Sequence, residues 1–325
     1  MPNKQMKRIE NMKNTLAEKS VLMRFSAGLP GSSRKDARTT REIQSEKKLS
    51  ADSGKYVKNL WPEDALKAVK QKQGEARAYH DKVTLPFGCK SDDDGVDAIS
   101  GVGILPAALI AEYGDKMRQF KGQFDNLVET TFLADPRKWV DWAMNAHNGT
   151  FDAKNYPGCQ VDALGVVQFD AEQFRTAMRK RFYLRTEPLP VPNASHFEES
   201  IRLMLGQDAE SVDLRLADAE AEARREVLRR LIEPVRAMAT KLAEQPKDGK
   251  ESPIFRDSLV ENLKDIAALA PALNITGDKD IDAMAKQVGA LAQVDAEALR
   301  KSDETRKCTA EDAEALLKKL EGYKF

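Results

Sequence analysis

The sequence predicts a mainly α protein: an elongated helical hairpin and a helical bundle, with a small minor β element. Two observations favour this fold class. Five stretches place apolar residues at the three-and-four spacing of packed helices, while most intervening positions are charged or small. The composition, 41% hydrophobic and 32% charged over 325 residues, suits long helices with exposed faces. A chain of this length can form two or three packed units.

The N-terminal region, residues 1–61, is predicted to contain a short helix, a strand and a polar arm. Helical spacing covers residues 1–19, and residues 21–25 alternate in the manner of a strand. Residues 32–55 have no apolar stripe and are rich in Arg, Lys, Ser and Thr, which indicates an exposed arm or loop. Four cations of the arm are candidate phosphate contacts: Arg34, Lys35, Arg38 and Arg41.

Residues 62–135 are predicted to form a helical hairpin with a glycine-rich apolar tip. The first helix follows Pro62, and the second carries a heptad-like stripe from Leu109 to Thr131. One chain would struggle to cover the apolar residues of the connection, so we expect an association surface there. Its residues are Leu85, Phe87, Val102, Ile104 and Leu105. In the alternative interpretation the tip folds back on the aromatic helix at Trp139 and Trp142.

Residues 136–195 are predicted to form a small mixed α/β segment. Pro136 begins a helix with an aromatic face, and Asp170 can cap a second helix that carries Phe174 and Met178. Residues 161–169 and 182–185 have strand character. We expect these strands to join residues 21–25 in one small sheet.

The remaining chain is predicted to be helical. A long helix occupies residues 196–245, with a kink at Pro234, and a C-terminal helical region occupies residues 246–325. Asp278 should begin one helix of this region, and Thr309 with Asp312 resembles a capping box before the last helix. The stripe of the long helix consists of Leu214, Ala217, Ala221, Leu228, Leu231, Val235, Met238 and Leu242.

The sequence offers no recognisable catalytic, cofactor-binding or metal-binding set. The phosphate-loop motif is absent, and Gly101-Val102-Gly103 is followed by Pro106 where a dinucleotide fingerprint requires its third glycine. The three histidines and three cysteines do not have zinc-site spacing, and the G-x-S-x-G motif is absent. We therefore expect a non-enzymatic protein that needs no cofactor and no metal.

Charge and cysteine usage narrow the location and the partners. The 52 basic and 52 acidic residues cancel, so binding to nucleic acid would depend on local patches. Odd, scattered cysteines and the lack of a secretory signal indicate the cytoplasm of a bacterium or of a phage-infected cell. The longest nearly apolar run, residues 102–111, is about half of a ~20-residue membrane helix, so a membrane-inserting hairpin is the least favoured function.

One basic cluster is a candidate surface for single-stranded nucleic acid. Its cations alternate with Phe174, Phe182 and Tyr183, the combination of charges and stacking rings that such grooves use. In the competing interpretation the rings belong to the core and the cations form its solvated rim. The cations are Arg175, Arg179, Lys180, Arg181 and Arg185.

Three motifs of the C-terminal third carry a family resemblance: Leu-Ile-Glu-Pro at 231–234, a Phe-Arg-Asp-Ser-Leu run from 255, and Pro-Ala-Leu-Asn-Ile-Thr-Gly-Asp at 271–278. They resemble the phage and bacterial family catalogued as domain of unknown function 3150. The resemblance implies a phage or prophage protein encoded near a MoxR-like or cobaltochelatase-like AAA+ ATPase and a von Willebrand factor A type protein. It implies no catalytic residues.

Two functions follow as hypotheses. The first is a phage-associated helical assembly protein that forms a homo-oligomer or is a partner of the AAA+ ATPase or the von Willebrand factor A type protein. The alternative is a single-stranded nucleic-acid-binding protein of phage replication or recombination.

Overall fold

A computed structural model describes residues 16, 18–87, 101–147, 149–192, 207–243 and 257–323. It is 63% helical with a small sheet component, which confirms the mainly α prediction. The chain divides into two compact units, each assembled from separate segments. We call residues 1–24, 81–113 and 187–325 the helical unit, and residues 25–80 and 114–186 the aromatic unit. These borders differ from the segment borders at residues 61, 135, 195 and 245 that the sequence suggested.

The strands are β1 (Ser20–Gly28), β2 (Ser33–Lys35), β3 (Val57–Asn59), β4 (Leu85–Pro86), β5 (Val102–Pro106), β6 (Cys159–Val161), β7 (Val167–Phe169) and β8 (Tyr183–Leu189). The helices are α1 (Ala37–Glu46), α2 (Lys67–Val83), α3 (Ile110–Leu127), α4 (Pro136–Ala146), α5 (Ala171–Arg179), α6 (Gln207–Ala243), α7 (Asp257–Leu273), α8 (Lys279–Leu291), α9 (Ala296–Lys301) and α10 (Asp303–Glu321).

A four-stranded sheet has the order β4-β5-β1-β8. The predicted placement of β1 and β8 in one sheet is confirmed, whereas β4 and β5 were not predicted. The prediction that residues 161–169 join this sheet is wrong, because β6 and β7 form a separate two-stranded sheet. β5 pairs antiparallel with β1 from Ser20↔Pro106 to Arg24↔Val102. Gly103 fits this sheet because a Cβ atom there would lie 2.6 Å from the Thr84 hydroxyl oxygen. Close packing against Thr84 and Leu85 therefore accounts for the glycine at this position.

The predicted association surface at the hairpin tip is wrong, because its residues are buried. Leu85 of β4 pairs with Ile104 of β5, and both side chains are fully buried, as is Leu105. Val102 and Phe87 are also buried. The apolar residues are thus buried within their own chain, so they do not form an exposed association surface. β4 also packs against α6.

The helical unit is built around α6, which packs against α7, α8 and α10. The predicted stripe is buried in the C-terminal half of α6, where Leu231, Val235 and Met238 have no exposed surface. Nearer its N-terminus the buried face shifts to Leu216 and Ala219, as expected when a heptad pattern meets the 3.6-residue turn. α6 continues through Pro234.

The helix starts of the C-terminal region follow short polar side chains. The carboxylate of Asp278 accepts a hydrogen bond from the Asp280 amide, which confirms the predicted start of α8. α10 is capped by Ser302 instead, and Thr309 is buried inside the helix, so the predicted capping box is wrong.

The aromatic unit is centred on Phe132, which lies in a π-helical turn after α3 and is fully buried. Its ring contacts four others at centroid distances of 5.2–6.3 Å: those of Trp61, Trp139, Phe174 and Phe182. Polar atoms of the large rings are satisfied by backbone carbonyls. The indole of Trp139 donates to the Phe132 carbonyl at 2.7 Å, and that of Trp61 donates to the Gly31 carbonyl at 2.9 Å.

Two predictions for the aromatic unit are corrected. Residues 161–169 are a hairpin of β6 and β7 and not one strand, because Gly165 takes a left-handed φ of 81° in the turn. The predicted arm, residues 32–55, contains β2 and α1, and β2 pairs with β3. By contrast, α4 and the Asp170 cap of α5 are confirmed.

Candidate interaction surfaces

The predicted nucleic-acid cluster is largely engaged in the fold. Arg175 donates to the backbone carbonyls of Leu133 and Ala134. Arg179 forms a bidentate ion pair with Glu129 at 2.7 and 3.0 Å, and this arginine holds the pKa of the Glu129 carboxyl below its usual range. Both arginines therefore tie α5 to the π-helical turn after α3 and to the two residues that follow that turn.

Two of the three aromatic residues of this cluster are core residues, and Tyr183 is half-buried. Phe174 and Phe182 are buried, and both contact Phe132. Three exposed cations remain, Lys180, Arg181 and Arg185, and the Arg185 guanidinium lies 5.1 Å from the Tyr183 ring centroid. The structure thus favours the interpretation of the rings as core and reduces the predicted basic surface from five cations to three.

The former arm is an ordered element that we call the basic flap, residues 33–58 with β2, α1 and β3. The Lys58 ammonium anchors it: Lys58 donates to the Asp36 carboxylate at 2.6 Å and to the Thr150 carbonyl at 2.7 Å. Asp36 also caps α1 by accepting from the amides of Arg38 and Thr39. The Lys58 hydrogen bond is the main reason that the pKa of Asp36 lies far below its usual value.

The flap is attached by polar contacts and presents mainly polar side chains. α1 buries no residue. Arg34 donates to the Asn155 side chain, which leaves the other predicted arm cations, Lys35, Arg38 and Arg41, exposed. Its apolar side chains are also partly exposed: Ile43, Leu49, Tyr56 and Val57. Such a combination of cations and exposed apolar groups is typical of a recognition element.

The β6–β7 hairpin, residues 159–169, is a second exposed element. The Asp162 carboxylate accepts hydrogen bonds from the amides of Leu164 and Val166 at 3.0 and 2.9 Å and from the Gln168 side chain at 3.2 Å. These bonds lower the pKa of Asp162, the Val166 amide most strongly. They fix a turn whose Leu164 side chain is 89% exposed, with Val161 at 55% and Val166 at 52%. The exposed apolar residues of this turn were not predicted from the sequence, although the Asp-x-x-Gly pattern at 162–165 is typical of a turn.

Some polar side chains of the helical unit bond to its own helix ends. The Arg230 guanidinium donates to the carbonyls of Asp81, Lys82 and Thr84 and so caps the C-terminus of α2. The Tyr323 hydroxyl donates to the carboxylates of Asp278 and Asp280. Burial, together with these two carboxylates, raises the pKa of Tyr323 to about 12. These contacts organise helix ends.

The histidines have structural surroundings. His80 is buried and lies 5.5 Å from the Phe25 ring centroid, and the Nε2 atom of His147 lies 2.7 Å from the Asn59 carbonyl oxygen. His196 lies outside the described residues. Within the described ranges no group of three or more His, Cys, Asp or Glu side chains is arranged to hold a metal ion. No helix in the same ranges has the length and apolar character to cross a membrane.

The chain has no match among known protein families, curated proteins or solved structures. The two exposed elements, the basic flap and the β6–β7 hairpin, are therefore the basis for a proposed function.

Proposed function

We propose that this chain is a non-enzymatic helical assembly protein that self-associates through the β6–β7 hairpin. The observation that carries this proposal is the exposed apolar tip of a rigid turn. The backbone amides of Leu164 and Val166 donate to Asp162 and order the turn that exposes both side chains, so little backbone entropy is lost when a partner buries them. Each fully buried aliphatic side chain contributes roughly 1.5–3 kcal/mol.

A phage-associated role and an AAA+ ATPase or von Willebrand factor A type partner enter from the resemblance of the C-terminal motifs. Such a partner would compete with a second copy of the chain for the same apolar tip. The exposed side chains of the hairpin support a protein partner independently, since neighbouring exposed apolar groups mark interaction sites.

Sedimentation velocity of the wild-type chain and of the variant Leu164→Ser with Val166→Ser tests the proposal. We expect the wild type to form an oligomer and the variant to sediment as a monomer with an unchanged far-ultraviolet circular dichroism spectrum. Ile110→Ser, at an exposed position of the helical unit, is the matched control and should stay oligomeric. A wild type that is monomeric at every concentration would refute self-association. Co-purification with the AAA+ ATPase that the resemblance implies would then test the other partner.

A further inference from the structure

The basic flap has more positive charge than its own carboxylates neutralise. Residues 33–58 contain eight Lys and Arg residues against four Asp and Glu residues. Two of the carboxylates are already used, Asp36 by Lys58 and Glu42 by Arg38. Within the part of the chain that the structure describes, five exposed flap cations have no carboxylate partner: Lys35, Arg41, Lys47, Lys48 and Lys55.

An exposed aromatic ring stands among these cations. Tyr56 is 41% exposed and follows Lys55 directly. Its backbone is fixed on both sides, because its amide donates to the Thr40 hydroxyl at 2.9 Å and its carbonyl accepts from the Asp36 amide at 3.0 Å. The ring is therefore mounted on an ordered backbone at the start of β3, as a stacking platform requires.

The end of α1 supplies a third, independent observation. The Leu49 amide donates to the Gln44 carbonyl at 2.8 Å and the Lys48 amide to the Ser45 carbonyl at 3.3 Å, which is the double hydrogen bond of a Schellman motif. Lys48 occupies the left-handed position of this motif, with φ 51°, and it is the only non-glycine residue with positive φ in the described ranges. Glycine is favoured there, so a lysine at this site costs stability. An unfavourable backbone position that presents a cation suggests a role outside folding.

We propose that the basic flap binds single-stranded nucleic acid, with phosphates held by its unpaired cations and a base stacked on Tyr56. This site goes beyond the proposed self-association, which uses the β6–β7 hairpin. It also replaces the cluster around Phe174, where the rings of Phe174 and Phe182 are buried. An acidic polypeptide is the competing ligand, since Ile43 and Leu49 would suit a protein partner. Nucleic acid is favoured for two reasons. The cations are spread along the whole flap, and Tyr56 presents an exposed aromatic ring among them from an ordered backbone.

Fluorescence anisotropy of a labelled oligo(dT), titrated with the full chain at several salt concentrations, tests this site. Each neutralised phosphate should contribute about −0.7 to the slope of log affinity against log salt. The variant Lys47→Ser with Lys48→Gly should reduce the magnitude of that slope by about 1.4, and Tyr56→Ser should weaken binding roughly 5- to 150-fold. Lys318→Ser with Lys319→Ser, an adjacent exposed pair at the end of α10, is the matched control and should bind as the wild type does.

Lys48→Gly alone separates binding from folding. It should raise the melting temperature, because glycine relieves the left-handed position, while it weakens oligo(dT) binding. Three results would overturn the proposal: a wild type that does not bind oligo(dT), flap variants that bind as tightly as the control pair, or poly-L-glutamate that competes as well as oligo(dT) with no effect of Tyr56→Ser. The last result would assign the flap to an acidic polypeptide.

Discussion

The two units differ in charge and in the chemistry of their cores, although the whole chain is neutral. The aromatic unit has 23 basic against 16 acidic residues, and the helical unit has 29 against 36. The net charges of +7 and −7 cancel only in the sum. Fifteen of the 21 aromatic residues, including all three tryptophans, belong to the aromatic unit. A neutral composition therefore conceals a basic unit on which nucleic-acid binding is electrostatically reasonable.

The difference also separates the recognition elements from the packing elements. Both exposed elements, the basic flap and the β6–β7 hairpin, belong to the aromatic unit. In the helical unit, polar side chains such as Arg230 satisfy helix ends, and Glu226 is buried between Arg229 and Arg230. These charges of the helical unit stabilise its own fold, whereas the aromatic unit leaves several cations of the basic flap for a partner.

The largest effect should come from Phe132→Ala. The ring contacts four other aromatic rings, so its removal leaves a cavity that the rigid neighbours fill poorly. We expect a loss of about 3–5 kcal/mol in the free energy of unfolding of the aromatic unit. Tryptophan fluorescence during urea denaturation measures it, because Trp61, Trp139 and Trp142 all report on this unit.

The same measurement tests whether the two units unfold separately. If the units unfold separately, Phe132→Ala should shift the tryptophan transition more than the helical signal at 222 nm. Coincident shifts of both signals would mean that the two units unfold as one cooperative structure. A loss below 1 kcal/mol would mean that Phe132 is not the centre of the core.

Leu231→Ala should give the next effect, in the helical unit. Leu231 is fully buried on α6, and truncation of such a residue costs about 2–5 kcal/mol. Here the transition at 222 nm should shift more than the tryptophan transition. Thr240→Ala, at an exposed position of the same helix, should change stability by no more than about 0.5 kcal/mol. Equal effects of the two substitutions would contradict the packing of α6 along this face.

The sequence predicted the fold where local periodicity decides it. The C-terminal half of the α6 stripe, the Asp170 and Asp278 caps and the strand at residues 21–25 needed only nearby residues. β5 was missed because it pairs with β1, about 80 residues away, and β4 was missed because it pairs with β5. Five buried side chains were read as exposed for the same reason. Strand pairing over such distances leaves little local pattern.

The candidate surfaces show the same limit. The cations of residues 34–41 and 175–185 were visible in the sequence, but it could not tell which were engaged. Arg179 and Glu129 are 50 residues apart, and Lys58 meets Asp36 and Thr150 only in the folded chain. The left-handed position of Lys48 had no sequence signal, because lysine is not typical of it.

The smallest effect should come from the charge that anchors the flap. Asparagine caps a helix as well as aspartate does, so Asp36→Asn keeps the cap of α1 and removes the ion pair with Lys58. At pH 7 we expect a loss of about 1.5–3 kcal/mol in the free energy of unfolding of the aromatic unit, the range for a lost hydrogen bond to a charged group. Urea denaturation monitored by tryptophan fluorescence gives the difference between the two proteins.

The pH dependence of that difference tests the cause. The folded-state pKa of Asp36 lies below its unfolded value of about 3.9, so the folded protein binds fewer protons on this group than the unfolded chain does. The stabilisation is therefore complete above the unfolded pKa and is lost as pH falls through the acid range toward the folded pKa. Wild type and Asp36→Asn should differ fully at pH 6–7 and converge as the pH falls below about 4. A difference that stays constant down to pH 3 would show that the amide substitution acts through packing and not through the charge of Asp36.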